Sequence, residues 1–212
     1  MSDVFREVEE ELQQDRLKRS WQRYGPIAIG TVAIVLAGYA GWTWWQNNQL
    51  NQSQARTAQL LSASVLISEE PGQAAEALAA LGQTTSPQAV LARLYEAGVQ
   101  IDLEDRETAI ALFNQVATDD DVDPIWQEVA TLQSVALQIG SADADALLAM
   151  VDPLRAADRS FRYTAEELAA SIALDRGDRE AARLIFETLS QDAGAPSALR
   201  QRSLQMLSAL GS

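Results

Sequence analysis

An uncharged apolar stretch near the N-terminus constrains this chain more than any other feature of its sequence. Residues 27–45 read IAIGTVAIVLAGYAGWTWW and contain no acidic or basic side chain. As an α-helix the stretch would rise about 28 Å, close to the roughly 30 Å hydrocarbon core of a bilayer. The proline at position 26 suits the first turn of a helix. The sequence therefore predicts a transmembrane helix over residues 26–45.

The side chains of this stretch are those expected of a membrane anchor. Apolar residues that favour insertion fill its middle, and tryptophans cluster at its C-terminal end, where lipid headgroups select amphipathic rings. Ala33, Ala37 and Gly41 share one helix face, which makes them a candidate contact with another transmembrane helix. The predicted anchor residues are Ile27, Ile29, Val32, Ile34, Val35, Leu36, Trp42, Trp44 and Trp45.

Flanking charge predicts the orientation of the anchor. Four basic side chains precede it within ten residues, whereas Arg56 is the only basic group for many residues after it. The positive-inside rule then places the N-terminus in the cytoplasm and the rest of the chain in the periplasm of a diderm bacterium. A cleaved signal peptide and a buried core helix are the alternatives. The long, Glu-rich segment before the apolar stretch argues against cleavage.

The composition excludes several classes of function. Cysteine and histidine are both absent, which removes the usual ligands of zinc, haem and iron–sulfur sites, cysteine nucleophiles and histidine bases. From Arg56 onward 11 basic side chains face 24 acidic ones, a net charge of −13. A domain this acidic would be repelled by phosphate backbones. Nucleic acid is therefore not expected as a partner.

The remaining sequence reads as all-α. Residues 1–25 form a cytoplasmic tail, either a loose juxtamembrane helix or one with a cytoplasmic contact of its own. Residues 46–70 form a linker helix that continues from the membrane, and residues 71–212 form a repeat domain. Helical apolar spacing and Pro, Gly, Ser and Asp boundary signals predict helices at 47–69, 72–82, 86–101, 105–118, 124–139, 143–155, 161–176, 178–191 and 196–210.

An internal period groups these helices into hairpins. In the second helix of each pair, a large apolar residue stands four positions after a small residue. A second large apolar residue stands three positions further on. Residues 147, 151 and 154 fit this pattern less well. The first large residue recurs at 78, 113, 151 and 186, a period near 34 residues that is typical of tetratricopeptide (TPR) hairpins stacked into a solenoid. The clearest repeat-packing residues are Ala109, Phe113, Val116, Ala182, Phe186 and Leu189.

The order of these elements resembles a known family, the YfgM-like ancillary subunits of the SecYEG translocon. The resemblance rests on LKRSWQRYGP before the apolar stretch, GWTWW at its end, the Gln/Asn/Ala-rich helix that follows, and degenerate repeats ending in RGDREAARLIFETL and LRQRSLQML. It covers essentially the whole chain, and the opening MSDVFREVEEELQQDRLKR looks like the alphaproteobacterial branch.

The resemblance implies a non-enzymatic periplasmic binding module tethered near the translocon. Its implied partners are Sec translocon components, a membrane-anchored periplasmic chaperone of the PpiD type, and proteins emerging from the Sec channel, whose handover to chaperones it would assist. It implies no catalytic residue, cofactor or small-molecule substrate. A self-associating envelope scaffold unrelated to Sec is the alternative.

The sequence offers little catalytic chemistry. The acidic run at 119–123 lacks the alternation and glycine of a calcium loop, so we expect it to cap a helix with solvated acids. Glu69–Glu70 and Glu166–Glu167 are each adjacent in sequence, and adjacent side chains on a helix diverge. No active site is predicted.

Overall fold

The computed structural model describes residue 39, residues 42–46 and residues 48–211. The chain divides into two compact units, Met1–Ala55 and Arg56–Ser212. In the first unit the described residues are helical, and Trp42 and Trp45 stand with their ring centroids 5.9 Å apart. No helix within the described residues is both long enough and apolar enough to cross a bilayer. Most of the predicted span lies outside the described residues, including Ile27, Ile29, Val32, Ala33, Ile34, Val35, Leu36, Ala37 and Gly41.

The second unit is a succession of helices, and no strand occurs among its described residues. We name its first helical segment, residues 56–66, α1. The others are α2 Pro71–Gly82, α3 Pro87–Asp102, α4 Arg106–Ala117, α5 Pro124–Gln138, α6 Ala144–Val151, α7 Arg162–Asp175, α8 Arg179–Gln191 and α9 Ser197–Leu210. Each helix packs against its neighbours in sequence, and α5 also contacts α7. The result is four hairpins, α1–α2 to α7–α8, followed by α9.

Each hairpin packs its second helix through the residues that share the 34-residue period. In α4, Ala109, Phe113 and Val116 are buried, and in α8 Ala182, Phe186 and Leu189 are buried. The less regular set in the third hairpin, Leu147, Val151 and Leu154, is buried as well. Four apolar clusters result, each shared between a hairpin and the helix that follows it. Neighbouring hairpins therefore complete each other's core, as expected for stacked repeats.

The turns inside the last three hairpins use one device, an aspartate that caps the second helix. Asp105, Asp143 and Asp178 each accept a hydrogen bond from the backbone N–H three residues later, at 2.9–3.1 Å. The residue before Asp178 is Gly177, with φ of +83°, and the residue before Asp105 is Glu104, with φ of +63°. Glycine adopts positive φ without strain, whereas glutamate does not.

One predicted helix, 143–155, is shorter in the structure. The α-helix ends at Val151, and Asp152–Arg155 form a tighter 3-10 turn. The cause is Pro153, which has no N–H to donate to the carbonyl of residue 149 and whose ring crowds the preceding turn. Leu154 remains buried because the 3-10 turn keeps it on the side that faces α7.

The compact repeat unit begins at Arg56 and so includes part of the segment predicted as a linker, 46–70. Leu60 and Ala63 of α1 are buried in one apolar cluster with Ala75 and Leu78 of α2. The helix predicted to reach residue 69 ends at 66, and residues 67–69 form a turn before Pro71 starts α2. Within this unit, α1 is the first helix of the first hairpin.

Candidate interaction surfaces

The residues predicted to pack the repeats face inward, so they shape the unit without touching a partner. All six, from Ala109 to Leu189, are less than about one-twentieth exposed. Of the predicted anchor residues, only Trp42, Trp44 and Trp45 are described, and each is well exposed in the first unit. Candidate binding surfaces of the second unit must therefore lie elsewhere.

Ion pairs link neighbouring hairpins, and one links the last hairpin to α9. Arg159 donates from Nη1 to Oε1 of Glu128 at 3.0 Å, and Arg176 donates to Asp145 at 2.9 Å. Arg202 of α9 makes two hydrogen bonds to Glu167 of α7, at 2.7 and 2.8 Å. Glu166, the neighbour of Glu167, pairs instead with Arg155 at 2.9 Å. The two adjacent glutamates thus bind different arginines, and both carboxylates form ion pairs within the repeat unit.

A groove that we call the α3–α5 groove lies where the N-termini of α3 and α5 meet two interhelical loops. Its volume is about 530 Å³. Pro87, Val90 and Leu91 of α3 line it, together with Trp126 of α5. Trp126 and its neighbour Ile125 are 39% and 44% exposed, so two adjacent large apolar side chains lie open to solvent at this end of α5.

Hydrogen bonds fix the loop on the acidic side of this groove. Arg93 donates to the carbonyl oxygen of Gly82 at 2.9 Å and to the carboxylate of Asp119 at 3.0 Å, which ties α3 to both loops. The side-chain amide of Gln127 donates to the carbonyl oxygens of Asp119 and Val122, at 2.8 and 3.0 Å. The loop is therefore preorganised rather than shaped by whatever binds it.

The acidic run has divided roles in the structure. Asp123 caps α5 by accepting from the N–H of Ile125 at 2.9 Å, the capping role predicted for this run. The sequence predicted Asp119 to be a solvated acid. In the structure Arg93 pairs with it instead. The hydrogen bond from Arg93, together with one from the N–H of Asp121, lowers the pKa of Asp119. Asp120 and Asp121 are exposed, and neither forms an ion pair with a described residue.

Two other clefts lie on the described surface of the unit. An α1–α2 cleft of about 520 Å³ is lined mainly by small and uncharged residues, among them Ala58, Ser62, Ala77 and Ala80. An α7–α8 cleft of about 320 Å³ contains Tyr163, Leu184 and two arginine–acid pairs, so its charges are internally balanced. Over the described part of the chain, no group of three or more acidic side chains is arranged to hold a metal ion.

No pattern in the sequence predicted Arg93, Ile125 or Trp126 as surface-forming residues. Arg93 and Asp119 are 26 positions apart, and no local pattern joins them. Trp126 stands two residues after Pro124, where a helical period is too short to assign a face. Exposure of a tryptophan beside an acidic loop is evident only once the hairpins are stacked.

Fold and surface together define a helical-hairpin repeat protein that offers grooves between its hairpins. The chain belongs to the tetratricopeptide repeat-like domain family, whose model matches residues 18–211. It is 24% identical to a protein of Aggregatibacter actinomycetemcomitans named ancillary SecYEG translocon subunit, over 94% of this chain and 96% of the relative. A protein of the same name from Haemophilus influenzae is 27% identical over the same shares. The predicted YfgM-like family is confirmed by these relatives. No solved structure matches the chain significantly.

Proposed function

We propose that the protein is a non-enzymatic, membrane-anchored interaction module that acts as an ancillary subunit of the SecYEG translocon. The observation that carries the proposal is the end-to-end match, over 94% of this chain, to two proteins bearing that name. A stack of helical hairpins supports it, because such stacks bind other proteins through their grooves and loops.

The anchor proposed for this role is the uncharged stretch at 26–45, with the N-terminus in the cytoplasm and the repeat unit in the periplasm. Tethering a binding module beside a channel raises its local concentration toward everything that leaves the channel. The exposed tryptophans at 42, 44 and 45 support the proposal, because amphipathic rings of this kind settle at membrane interfaces.

The partners proposed are Sec components within the membrane and a PpiD-type chaperone on the periplasmic side. In this role the protein assists the handover of secreted and outer-membrane proteins to periplasmic chaperones. Contact with a Sec component is assigned to the small-residue face of Ala33, Ala37 and Gly41, since small side chains allow close helix approach.

Site-specific crosslinking in the membrane tests this proposal. A photoreactive residue in place of Ala37 is expected to give an adduct with SecY, SecE or SecG, identified by immunoblotting. The same residue in place of Val35, on roughly the opposite helix face, serves as the matched control and is expected to give less. Absence of any Sec adduct from either position, at normal expression, would refute the assignment.

A further inference from the structure

The α3–α5 groove combines an exposed aromatic side chain with uncompensated negative charge. Trp126 lines the groove and is 39% exposed, and the apolar side chains of Pro87, Val90 and Leu91 also line it. Large apolar side chains left open beside a groove are typical of sites that receive one apolar side chain from a partner.

The charge at the rim selects the kind of partner. Arg93 neutralises Asp119, and Asp123 is occupied in capping α5. Asp121, which lines the groove, and its neighbour Asp120 remain exposed and without an ion pair among the described residues. Negative charge at the rim favours a partner segment that carries lysine or arginine, which can pair with the carboxylates.

The loop needs no reordering to bind. Its conformation is held by the bonds from Arg93 and Gln127 described above, at 2.8–3.0 Å. A preorganised loop spares the partner the entropic cost of fixing it. The acidic unit around it, with a net charge of −13 from Arg56 onward, also attracts cationic segments over longer distances.

We propose that the α3–α5 groove binds an extended segment of a partner protein that carries one large apolar side chain flanked by lysine or arginine. The apolar side chain packs on Trp126, and the flanking cations pair with Asp120 and Asp121. This inference rests on the proposed function in one respect only, that the repeat unit binds other proteins.

Two other occupants fit the groove less well. A second copy of this unit offers few free cations, because seven of its 11 arginines already form ion pairs within it. A bilayer surface rich in anionic lipid would be repelled by the rim carboxylates. Charge complementarity therefore favours a cationic segment of another protein.

Peptide binding by the full chain in phosphatidylcholine nanodiscs tests the proposal, with empty nanodiscs as the blank. The probe is a fluorescein-labelled nonapeptide with a central phenylalanine and two lysines on each side. Its anisotropy should report saturable binding that weakens as salt is raised. Peptides with serine for phenylalanine, or glutamate for lysine, are expected to bind about tenfold more weakly or not at all.

Variants of the groove should separate the contribution of the aromatic side chain to peptide binding from that of the two carboxylates. Trp126→Ala is expected to weaken binding about tenfold, and the double change Asp120→Asn with Asp121→Asn should weaken it several-fold and flatten its salt dependence. Because those two carboxylates make no ion pair among the described residues, the double variant keeps the fold even if Trp126→Ala disturbs it. Leu204→Ala and Asp158→Asn, exposed residues on other surfaces, are the matched controls.

The outcomes distinguish this proposal from the proposed function. Wild-type affinity in both groove variants, or equal binding of the glutamate peptide, overturns the groove assignment while the Sec crosslink from position 37 still stands. Loss of the crosslink with intact, groove-dependent peptide binding overturns the translocon role alone.

Discussion

Glu104 adopts a left-handed backbone conformation, which is unfavourable for a residue with a side chain. It precedes the capping Asp105 as Gly177 precedes Asp178, yet it carries a side chain at φ of +63°. A left-handed conformation costs a non-glycine residue about 1–2 kcal/mol, partly offset by the larger entropy that glycine loses on folding. Glu104→Gly is therefore expected to stabilise the protein by about 0.5–1 kcal/mol, measured as a rise in the midpoint of thermal unfolding by circular dichroism.

Glu104→Ala is the matched control for this change. Alanine keeps the Cβ that makes positive φ costly, so the gain seen with glycine should be absent. The reverse change, Gly177→Ala, should destabilise, since a Cβ at Gly177 meets no atom within 4 Å and backbone strain alone decides the effect. Equal melting temperatures for Glu104→Gly and Glu104→Ala would show that the backbone at this turn is unstrained.

Glu96 makes the stability of the protein depend on pH. Glu96 is only 8% exposed, and burial raises the pKa of its carboxyl group. A folded-state pKa above the unfolded value means that the contribution of Glu96 is most favourable at low pH and declines as pH rises through the folded pKa. Glu96→Gln should therefore stabilise the protein at pH 7 and change it little near pH 4.

Urea unfolding of both proteins at the two pH values measures this difference directly. Because other carboxyls titrate in the same range, the quantity compared is the variant minus wild type at each pH. Glu76→Gln, an exposed acid on α2, supplies the control. An equal effect of Glu96→Gln at pH 4 and pH 7 would contradict the role assigned to burial.

The second helix of a hairpin depends on a few buried side chains, and α8 shows this most clearly. Phe186 is buried between α7 and α9, whereas Leu184, two residues earlier, is 65% exposed. Phe186→Ala is expected to cost about 3–5 kcal/mol because it leaves a cavity that the repeats cannot fill. Leu184→Ala changes the same helix but should stay within about 0.5 kcal/mol. Urea denaturation separates the two, and similar losses from both would mean that α8 packs through its other face.

At the scale of elements, much of the fold was predictable from local signals. Proline and aspartate mark helix starts, glycine marks stops, and the repeated small and large apolar residues mark the buried face, so the predicted bounds of α2 and α8 differ from the structure by a residue. The third hairpin differed from its prediction because of Pro153. The spacing of apolar residues continues past this proline and does not show that its N–H is missing. Local pattern reports which face is apolar better than it reports the hydrogen-bond geometry.

The candidate binding surface was less predictable, because it forms between hairpins. The pairing of Arg93 with Asp119 and the exposure of Trp126 depend on how two loops, roughly one repeat apart, come together. The acidic run alone indicated a capped helix with solvated acids, and only the cap at Asp123 was evident in advance. A groove whose walls come from α3 and α5 has no signature within either helix.

The whole molecule is organised by an uneven distribution of charge. The first 23 residues carry five basic groups, the next 32 carry no charge, and the repeat unit carries a large negative excess. Acidic side chains barely affect membrane orientation, whereas basic residues beside a span hold their end in the cytoplasm. In the proposed topology, the basic end of the chain fixes the orientation, and the acidic repeat unit attracts cationic partners.

Orientation is accordingly the prediction that belongs to the whole molecule. In spheroplasts of a diderm host, added protease should remove an epitope placed at the C-terminus and spare one placed at the N-terminus, as followed by immunoblotting. Both should be lost after lysis. Replacing Arg16, Lys18, Arg19 and Arg23 with glutamine should leave part of the population inverted, because the basic groups that hold the tail inside are gone. If the C-terminal epitope of the unaltered chain survives until the cells are lysed, the repeat unit faces the cytoplasm, and periplasmic handover is ruled out.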